Sequence, residues 1–315
     1  QIGDSGKIIF EDSIFEVYDT TKLFGSFFLH HGKVKNGQFS KKGSVNAIID
    51  TDKRQLTKCN HSSTHLLHSS LRKVLGNHVS QKGSLVNNEK LRFDFSHNEP
   101  ISSDIIIKIE NYVKMEITNN SPVTTKIIDH QKAIEEGAMA LFGEKYGDEV
   151  RVVSMGSKEG EKIFSKELCG GTHVNRTGDI IDFKIINQSS VASGIRRLEA
   201  LTNISVKQFE NEQIRLLQQK EDDNKIKLDQ IIKDIQKIDS NFTFSNKNND
   251  SLLDQIKELR RSLEIKKQNL NKENLSQNIL SEKINDTIFV YLVTDDYPPK
   301  LLKQFVDEQK NKYQQ

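Results

Sequence analysis

The sequence lacks tryptophan, has only two cysteines and four prolines in 315 residues, and contains no long hydrophobic run. Two cysteines far apart exclude a disulfide framework, so a reducing cytoplasm is the expected compartment. No run approaches the roughly 18–20 apolar residues that span a bilayer, and we expect no secretory signal. The formal net charge of +2 excludes a global basic field, so any RNA contact has to come from local patches.

The pattern of turns and apolar residues predicts an α+β fold in consecutive parts. Residues 1–52 contain short apolar runs separated by glycine and polar turns, at a spacing typical of a small β-barrel. Residues 53–205 mix helical and strand periodicities and are predicted to form an α/β domain. The first residue is Gln1 rather than Met, so we expect this chain to be a piece of a longer protein.

The last third of the chain has a different character. In residues 206–286 glycine and proline are absent, and apolar residues recur at spacings of three and four. This predicts an antiparallel helical hairpin that is coiled-coil-like and suited to pairing with a second copy. Residues 287–315 predict one strand and one helix, which cannot bury a core alone. They are interpreted as the start of a truncated C-terminal globular domain.

A helix predicted over residues 53–76 carries histidines four residues apart, His61 and His65, which therefore lie on one face. Such a pair alone is more typical of a surface than of a metal site. The helix of zinc proteases has glutamate directly after the first histidine. Ser62 occupies that position here, which excludes the general base of that chemistry.

A distant loop supplies a second pair, Cys169 and His173, separated by two glycines and a threonine. Glycines free the backbone to wrap around an ion, and a thiolate with imidazoles is the ligand set that suits zinc. The two pairs together predict one Zn²⁺ bound by His61, His65, Cys169 and His173.

Three arginines are candidates for RNA contacts. Arg92 lies in an alternating segment that predicts a strand, where the alternative is an ordinary solvated pair with Asp94. Arg196 and Arg197 follow a glycine and form a cationic pair suited to phosphate. The alternative is charge on a helix surface, paired with Glu199.

Six ordered blocks within residues 1–205 resemble the editing region of alanyl-tRNA synthetases, whose metal motifs also occur in free-standing alanyl-tRNA editing proteins. The blocks are His61-Ser-Ser-Thr-His65-Leu-Leu-His68, Gln81-Lys-Gly-Ser-Leu-Val86, Leu91-Arg-Phe-Asp-Phe-Ser-His97, Ala140-Leu-Phe-Gly-Glu-Lys-Tyr-Gly147, Glu167-Leu-Cys-Gly-Gly-Thr-His173 and Gly194-Ile-Arg-Arg-Leu-Glu-Ala200. The fourth block and the long helical segment favour the synthetase over the free-standing proteins. The aminoacylation and tRNA-recognition domains of that enzyme are not in this sequence.

The resemblance implies proofreading, in which the serine or glycine ester of mischarged tRNA(Ala) is hydrolysed because small amino acids are poorly discriminated by binding. It implies that the four predicted ligands hold one zinc ion. Gln81 matches a position tied to editing activity, and the Thr64 hydroxyl is placed to read the hydroxyl of serine. Four protein ligands usually mark a structural zinc. We therefore hypothesise that zinc orients the substrate's amino group while another group, such as a ribose hydroxyl, activates water.

Two other functional classes compete with this interpretation. The chain could be a zinc-stapled tRNA-binding module without hydrolytic activity, which would use Arg196, Arg197 and other cations to hold the acceptor stem. It could also serve chiefly in dimerisation through residues 206–286. Deacylation assays separate the first class from an editing enzyme, and the mass of the helical segment in solution tests the second.

Overall fold

The structure is a computed structural model that describes residues 1–24, 27–40, 43–140, 146–156, 163–245, 251–277, 279–285, 287–293 and 299–313. The chain divides into two compact units, residues 1–211 and residues 212–315. Residues 141–145, within the motif block at 140–147, lie outside the described residues.

The first four strands form an open antiparallel sheet in the order β3-β2-β1-β4. These strands are β1 (Gly6–Phe10), β2 (Ser13–Leu23), β3 (Phe27–Asn36) and β4 (Asn46–Ile49). Glycine spacing predicts antiparallel strands but not closure, which depends on strand number and stagger. Among the described residues β3 and β4 remain unpaired sheet edges, so the predicted β-barrel is not confirmed.

The ligand helix α1 (Thr51–Leu75) is buried along most of its circumference between residues 57 and 71. Its N-cap Asp50 accepts from the backbone N–H of Lys53, and the backbone N–H of Gly76 donates to the carbonyl of Arg72 at the other end. One face of the helix carries Leu66, Leu67 and Leu71, which are fully buried. The opposite face is buried as well, including Asn60, whose amide oxygen accepts from Thr202 Oγ1 at 2.7 Å.

A second antiparallel sheet packs against α1 in the order β10-β11-β6-β5. Its strands are β5 (Gln81–Val86), β6 (Leu91–Ser96), β10 (Phe183–Ala192) and β11 (Ile195–Thr202). In β6 the predicted alternation is confirmed, since Leu91, Phe93 and Phe95 are fully buried. A helix, α2 (Ser103–Asn119), packs on the same core, and Ser102 is its N-cap.

A third sheet has the strand order β7-β8-β9. Its last strand leads into the loop that contains Cys169 and His173, which we name the metal loop. The sheet contains β7 (Thr124–Asp129), β8 (Glu149–Met155) and β9 (Ser165–Leu168), with the short helix α3 (His130–Glu135) between the first two. Because β9 ends at Leu168, the loop that follows starts with Cys169. The backbone N–H of Cys169 donates to the carbonyl of Arg151 at 3.0 Å, which ties this loop to β8.

Helix α4 (Ile204–Ile238) begins in the first unit and continues into the second. The second unit also contains α5 (Leu252–Gln277), β12 (Ile279–Ile284), β13 (Thr287–Leu292) and α6 (Pro299–Tyr313). The predicted heptad positions form one buried cluster: Leu228, Ile231, Ile235, Ile256, Leu259 and Leu263. Residues 279–284 form a strand paired with β13, although the helical segment was predicted to continue through residue 286.

The two long helices do not align as a simple hairpin. Asp239, directly after α4, forms an ion pair with Lys266 in the middle of α5 at 2.6 Å. A hairpin with aligned ends would place the start of α5 there. Shared apolar spacing predicts that two helices pack, but it does not determine their offset, and the predicted coiled coil is not confirmed. No helix in the described part of the chain is long and apolar enough to cross a membrane.

Candidate metal centre

The four predicted metal ligands converge at one point. Candidate ligand atoms of His61, His65, Cys169 and His173 all lie within 4.8 Å of one another. The Cys169 sulfur is 3.4 Å from both His61 Nε2 and His173 Nε2. Zinc bonds of about 2.0–2.3 Å in a tetrahedron place ligand atoms about 3.3–3.8 Å apart. The described residues contain no other group of three or more candidate ligands this close together.

Each of the three imidazoles is held by its Nδ1 atom. His65 Nδ1 lies 2.7 Å from Glu167 Oε2, and His173 Nδ1 lies 3.1 Å from Ser62 Oγ. His61 Nδ1 lies 2.9 Å from Gln1 Oε1 and 3.2 Å from the carbonyl oxygen of Thr172. These contacts aim the Nε2 atoms at the shared point, as partners of ligating histidines do.

The donor set fits a zinc ion. His65 Nε2 is buried and has no hydrogen-bond partner. Leaving such an atom unsatisfied costs about 1–3 kcal/mol, so a cation at the shared point would complete it. Three imidazoles and one thiolate are a closed tetrahedral set for zinc.

The electrostatics of the centre favour bound positive charge. Burial would raise the pKa of Cys169, but hydrogen bonds with His173 and His61 and the nearby His65 imidazole hold it far below its usual range, which favours the thiolate. Burial, together with the neighbouring imidazoles, lowers the pKa of His173 to about 4, which keeps it neutral. Thiolate and neutral imidazole are the forms that bind metals.

His65 shows the opposite effect. Burial alone would lower its pKa, but the Glu167 carboxylate and the Cys169 sulfur raise it to about 10. Burial would likewise raise the pKa of Glu167, but contacts with His65 and His68 hold it well below its usual range. The Glu167 carboxylate and the Cys169 thiolate thus attract one positive charge to His65, and a metal ion would replace that proton.

The loop that carries Cys169 is shaped by a close approach to α1. A Cβ atom added at Gly171 would lie 2.1 Å from His61 Cε1, whereas one added at Gly170 would have no neighbour within 4 Å. Arg151 Nη1 holds the same loop by donating to the carbonyl oxygens of Cys169 and Gly171, each at 2.7 Å. Of the two predicted glycines, therefore, only Gly171 is required by packing.

We expect Gly171→Ala to weaken zinc binding and Gly170→Ala to leave it nearly unchanged. The new methyl group at position 171 would push the His61 ring away from the other ligands. Displacing one ligand in this way should cost at least the roughly 10–100-fold in affinity that follows loss of an outer partner. Competition with a chromophoric chelator measures both dissociation constants. Equal affinities for the two variants would contradict this assignment.

The two predicted catalytic residues lie beside the candidate metal ligands. A cavity of about 580 Å³ is lined by His61, His65 and Cys169 and also by Thr64 and Gln81. Thr64 Oγ1 donates to the carbonyl oxygen of Asn60 at 2.9 Å, and Gln81 Nε2 donates to Ser84 Oγ at 3.3 Å. The structure therefore brings residues from α1, β5 and the metal loop to one cavity.

The predicted arginines are placed differently. Arg196 and Arg197 are neighbours on β11, so their side chains point to opposite faces and do not form one compact pair. Arg197 forms two hydrogen bonds to the buried Asp94 carboxylate, at 2.7 and 2.8 Å. Arg92 Nε lies 3.6 Å from the same carboxylate. Arg196 donates to the carbonyl oxygen of Asn98 at 3.3 Å.

Three residues around the centre were not predicted from the sequence: Ser62, Arg151 and Glu167. Each contacts residues about 18 to 112 positions away in the sequence. Ser62 contacts Val174 and His173, and Arg151 contacts Cys169 and Gly171. Glu167 contacts His65 and His68. Ser62 and Glu167 lie within motif blocks, which was their only signal in the sequence, and Arg151 lies outside the blocks. Local spacing therefore could not assign them a role.

The comparisons with known proteins agree with the motif blocks. Residues 150–199 match the family described as "Threonyl and Alanyl tRNA synthetase second additional domain". The chain is 54% identical over 202 residues to an alanine--tRNA ligase from Pseudomonas syringae pv. tomato (strain ATCC BAA-871 / DC3000). That match covers 64% of this chain and 22% of the relative, so the chain spans about a fifth of the relative's length. The resemblance to the editing region of alanyl-tRNA synthetases is confirmed.

Proposed function

We propose that this chain hydrolyses the aminoacyl ester of tRNA(Ala) mischarged with serine or glycine, at a centre that holds one zinc ion. The observation that carries this proposal is one cavity that is lined by three of the four proposed ligands, His61, His65 and Cys169, and also by Thr64 and Gln81. A closed ligand set without a substrate cavity would support a structural zinc instead. The match to an alanine--tRNA ligase makes an aminoacyl-tRNA the substrate class to test.

The bound zinc would supply a Lewis-acidic centre that helps to orient the amino group of the substrate in the cavity. His61, His65, Cys169 and His173 are the residues that would hold it. Since these four fill a tetrahedral set, water activation falls to another group, and we retain the ribose hydroxyl for this role. The Gln81 amide lines the cavity. It is the candidate donor to the negative charge that develops on the carbonyl oxygen of the ester.

Thr64 provides a physical basis for selecting serine. Its hydroxyl proton is donated to the carbonyl oxygen of Asn60, so the lone pairs of its oxygen remain as acceptors. The hydroxyl of a seryl ester can donate to this oxygen, whereas an alanyl ester has no hydroxyl to do so. Sites that hydrogen-bond a substrate hydroxyl discriminate strongly against analogues that lack it. Glycine has no hydroxyl, so we propose that it is accepted for its size rather than by this contact.

Hydrolysis of three esters tests the proposed function. The zinc-loaded chain should release serine from Ser-tRNA(Ala), and glycine from Gly-tRNA(Ala), much faster than alanine from Ala-tRNA(Ala). Binding of all three RNAs without release of any amino acid would favour the zinc-stapled tRNA-binding module. Equal release of serine and alanine would contradict the proposed selectivity while retaining an esterase.

For RNA binding we favour Arg196 over its two neighbours. Arg92 and Arg197 both lie beside the buried Asp94 carboxylate, whereas the Arg196 side chain donates to the carbonyl oxygen of Asn98. Arg196→Gln should weaken tRNA binding uniformly across sequences and reduce the slope of log affinity against log salt by about 1. Filter binding at several salt concentrations measures this slope. An unchanged slope would exclude a phosphate contact at this position.

We also propose that residues 206–286 pair two copies of the chain in the cytoplasm. Apolar side chains on α4, including Ile214 and Leu217, are 54% and 65% exposed and lie outside the buried cluster of the second unit. A second copy could cover them. The mass of the full chain from light scattering tests this, since a monomer at all concentrations would contradict it.

A further inference from the structure

Glu167 lies beside the proposed zinc centre but is not one of the four proposed ligands. Its carboxylate is buried, and its two oxygens contact two different histidines. Oε2 lies 2.7 Å from His65 Nδ1, and Oε1 lies 3.0 Å from His68 Nδ1. The carboxylate therefore joins a proposed zinc ligand to a histidine outside the ligand set.

The backbone around Glu167 fixes this carboxylate in place. Glu167 is on β9, where it pairs with Val153 of β8. On its other side, the next residue, Leu168, donates its backbone N–H to the carbonyl oxygen of Met139 at 2.9 Å. The Ser165 hydroxyl lies 3.4 Å from Oε1. A side chain held in this way can determine the orientation of the imidazoles that contact it.

The chemistry of a carboxylate then determines the protons on both imidazoles. An ionised carboxylate only accepts hydrogen bonds, so Nδ1 of His65 and of His68 must each carry a proton. For a neutral ring, this leaves Nε2 with its lone pair. Both Nε2 atoms are buried and have no hydrogen-bond partner in the described structure. For His65, this is the atom that faces the other ligands.

We infer that Glu167 is a positioning residue that fixes the tautomer and orientation of His65 for metal binding, with His68 holding the second oxygen of its carboxylate. This inference rests on the proposed zinc centre. His68 is itself fixed, because its ring packs 5.3 Å from the ring of the buried Phe93. The arrangement links the metal ligand through one carboxylate to the hydrophobic core.

The isosteric variant Glu167→Gln tests the inference. The amide has one acceptor oxygen and one donor group, so it cannot accept from two Nδ1–H groups at once. One imidazole must lose its hydrogen bond or move its proton to Nε2. We expect the zinc dissociation constant to rise about 10–100-fold, as when outer-shell partners of a metal ligand are removed.

Glu110→Gln is the matched control. Glu110 is 5% exposed and Glu167 is 3% exposed. The Glu110 carboxylate also accepts two hydrogen bonds, from Lys184 Nζ at 2.9 Å and from the backbone N–H of Ile185 at 2.7 Å. It does not contact the metal ligands. We expect its zinc affinity to stay within about twofold of the parent chain, since distant sites act independently.

Chelator competition on the parent chain, Glu167→Gln and Glu110→Gln gives four distinguishable outcomes. Weaker binding in Glu167→Gln alone supports the inference. Parent-like binding in Glu167→Gln overturns it and leaves the proposed zinc centre intact. Similar weakening in both variants also overturns it and indicates a general loss of packing. Failure of the parent chain to bind zinc overturns the proposed centre itself.

A second readout follows the imidazole directly. In the zinc-saturated parent chain, long-range ¹⁵N–¹H correlation spectra should show a proton on His65 Nδ1. In zinc-saturated Glu167→Gln the resonance of this proton should shift or disappear, while Glu110→Gln should match the parent. A resonance unchanged by Glu167→Gln would contradict the positioning role, because a purely structural effect on affinity does not require this proton to move.

Discussion

Cys169→Ala is expected to abolish both zinc binding and release of serine from Ser-tRNA(Ala). The Cys169 thiolate is the only anionic atom among the four proposed ligands, and two imidazole Nε2 atoms lie 3.4 Å from it. Its removal leaves three neutral ligands around a doubly charged ion. The affinity for zinc should fall by more than about 100-fold, beyond the range for loss of an outer-shell partner.

Cys59→Ala is the matched control for this variant. Cys59 is the other free cysteine and is fully buried on the same helix as two of the ligands. Its sulfur contacts the backbone carbonyl of Asp179 at 3.4 Å rather than a metal ligand. Zinc content and serine release should both be retained. Near-normal serine release by a folded, zinc-free Cys169→Ala chain would contradict the role of the centre.

Phe93→Ala is expected to destabilise the first unit by about 3–5 kcal/mol, the range for truncating a buried aromatic side chain. Phe93 is fully buried on β6, and its ring lies 5.9 Å from that of Phe95 and 5.3 Å from that of His68. The truncation would leave a cavity beneath the face of α1 that carries the histidines. Loss of packing at His68 should therefore accompany the loss of stability.

The measurement is the urea midpoint of unfolding, followed by circular dichroism, with Phe28→Ala as the control. Phe28 is 67% exposed on β3, and truncating an exposed side chain changes stability by about 0.5 kcal/mol or less. Because the chain has two units, it can unfold in two transitions. The comparison uses the transition in which the chain also loses its ability to bind zinc. A parent-like midpoint for Phe93→Ala would contradict the proposed core beneath α1.

The elements that the sequence predicted well are those with strong periodicity. Helix α1 and the alternating strand β6 repeat apolar residues at the spacing of their own geometry, so the local pattern was sufficient to predict them. The predicted barrel is not confirmed, because closure of a sheet depends on contacts between distant strands. The offset between the two long helices could not be predicted, because it also depends on contacts between distant residues. Strand β12 was missed because the helical pattern before it continues without a proline or glycine.

The candidate site shows the same division. The convergence of the four proposed ligands was predictable because each pair has its own short spacing, and the two spacings match one chemistry. The pairing of Arg197 with Asp94, 103 positions away, was not predictable, and it removes half of the expected cationic pair. The requirement for glycine at 171 but not at 170 also depends on a three-dimensional contact, the approach of the loop to the His61 ring.

The most direct test of the account is to restore zinc to the stripped chain while following hydrolysis of Ser-tRNA(Ala). If the four ligands form one centre and hydrolysis depends on it, activity should rise in proportion to added zinc and stop rising at one equivalent per chain. Ala-tRNA(Ala) should remain intact throughout. Full serine release by the stripped chain, with no change as zinc is added, would contradict the central claim that zinc at His61, His65, Cys169 and His173 supports the editing reaction.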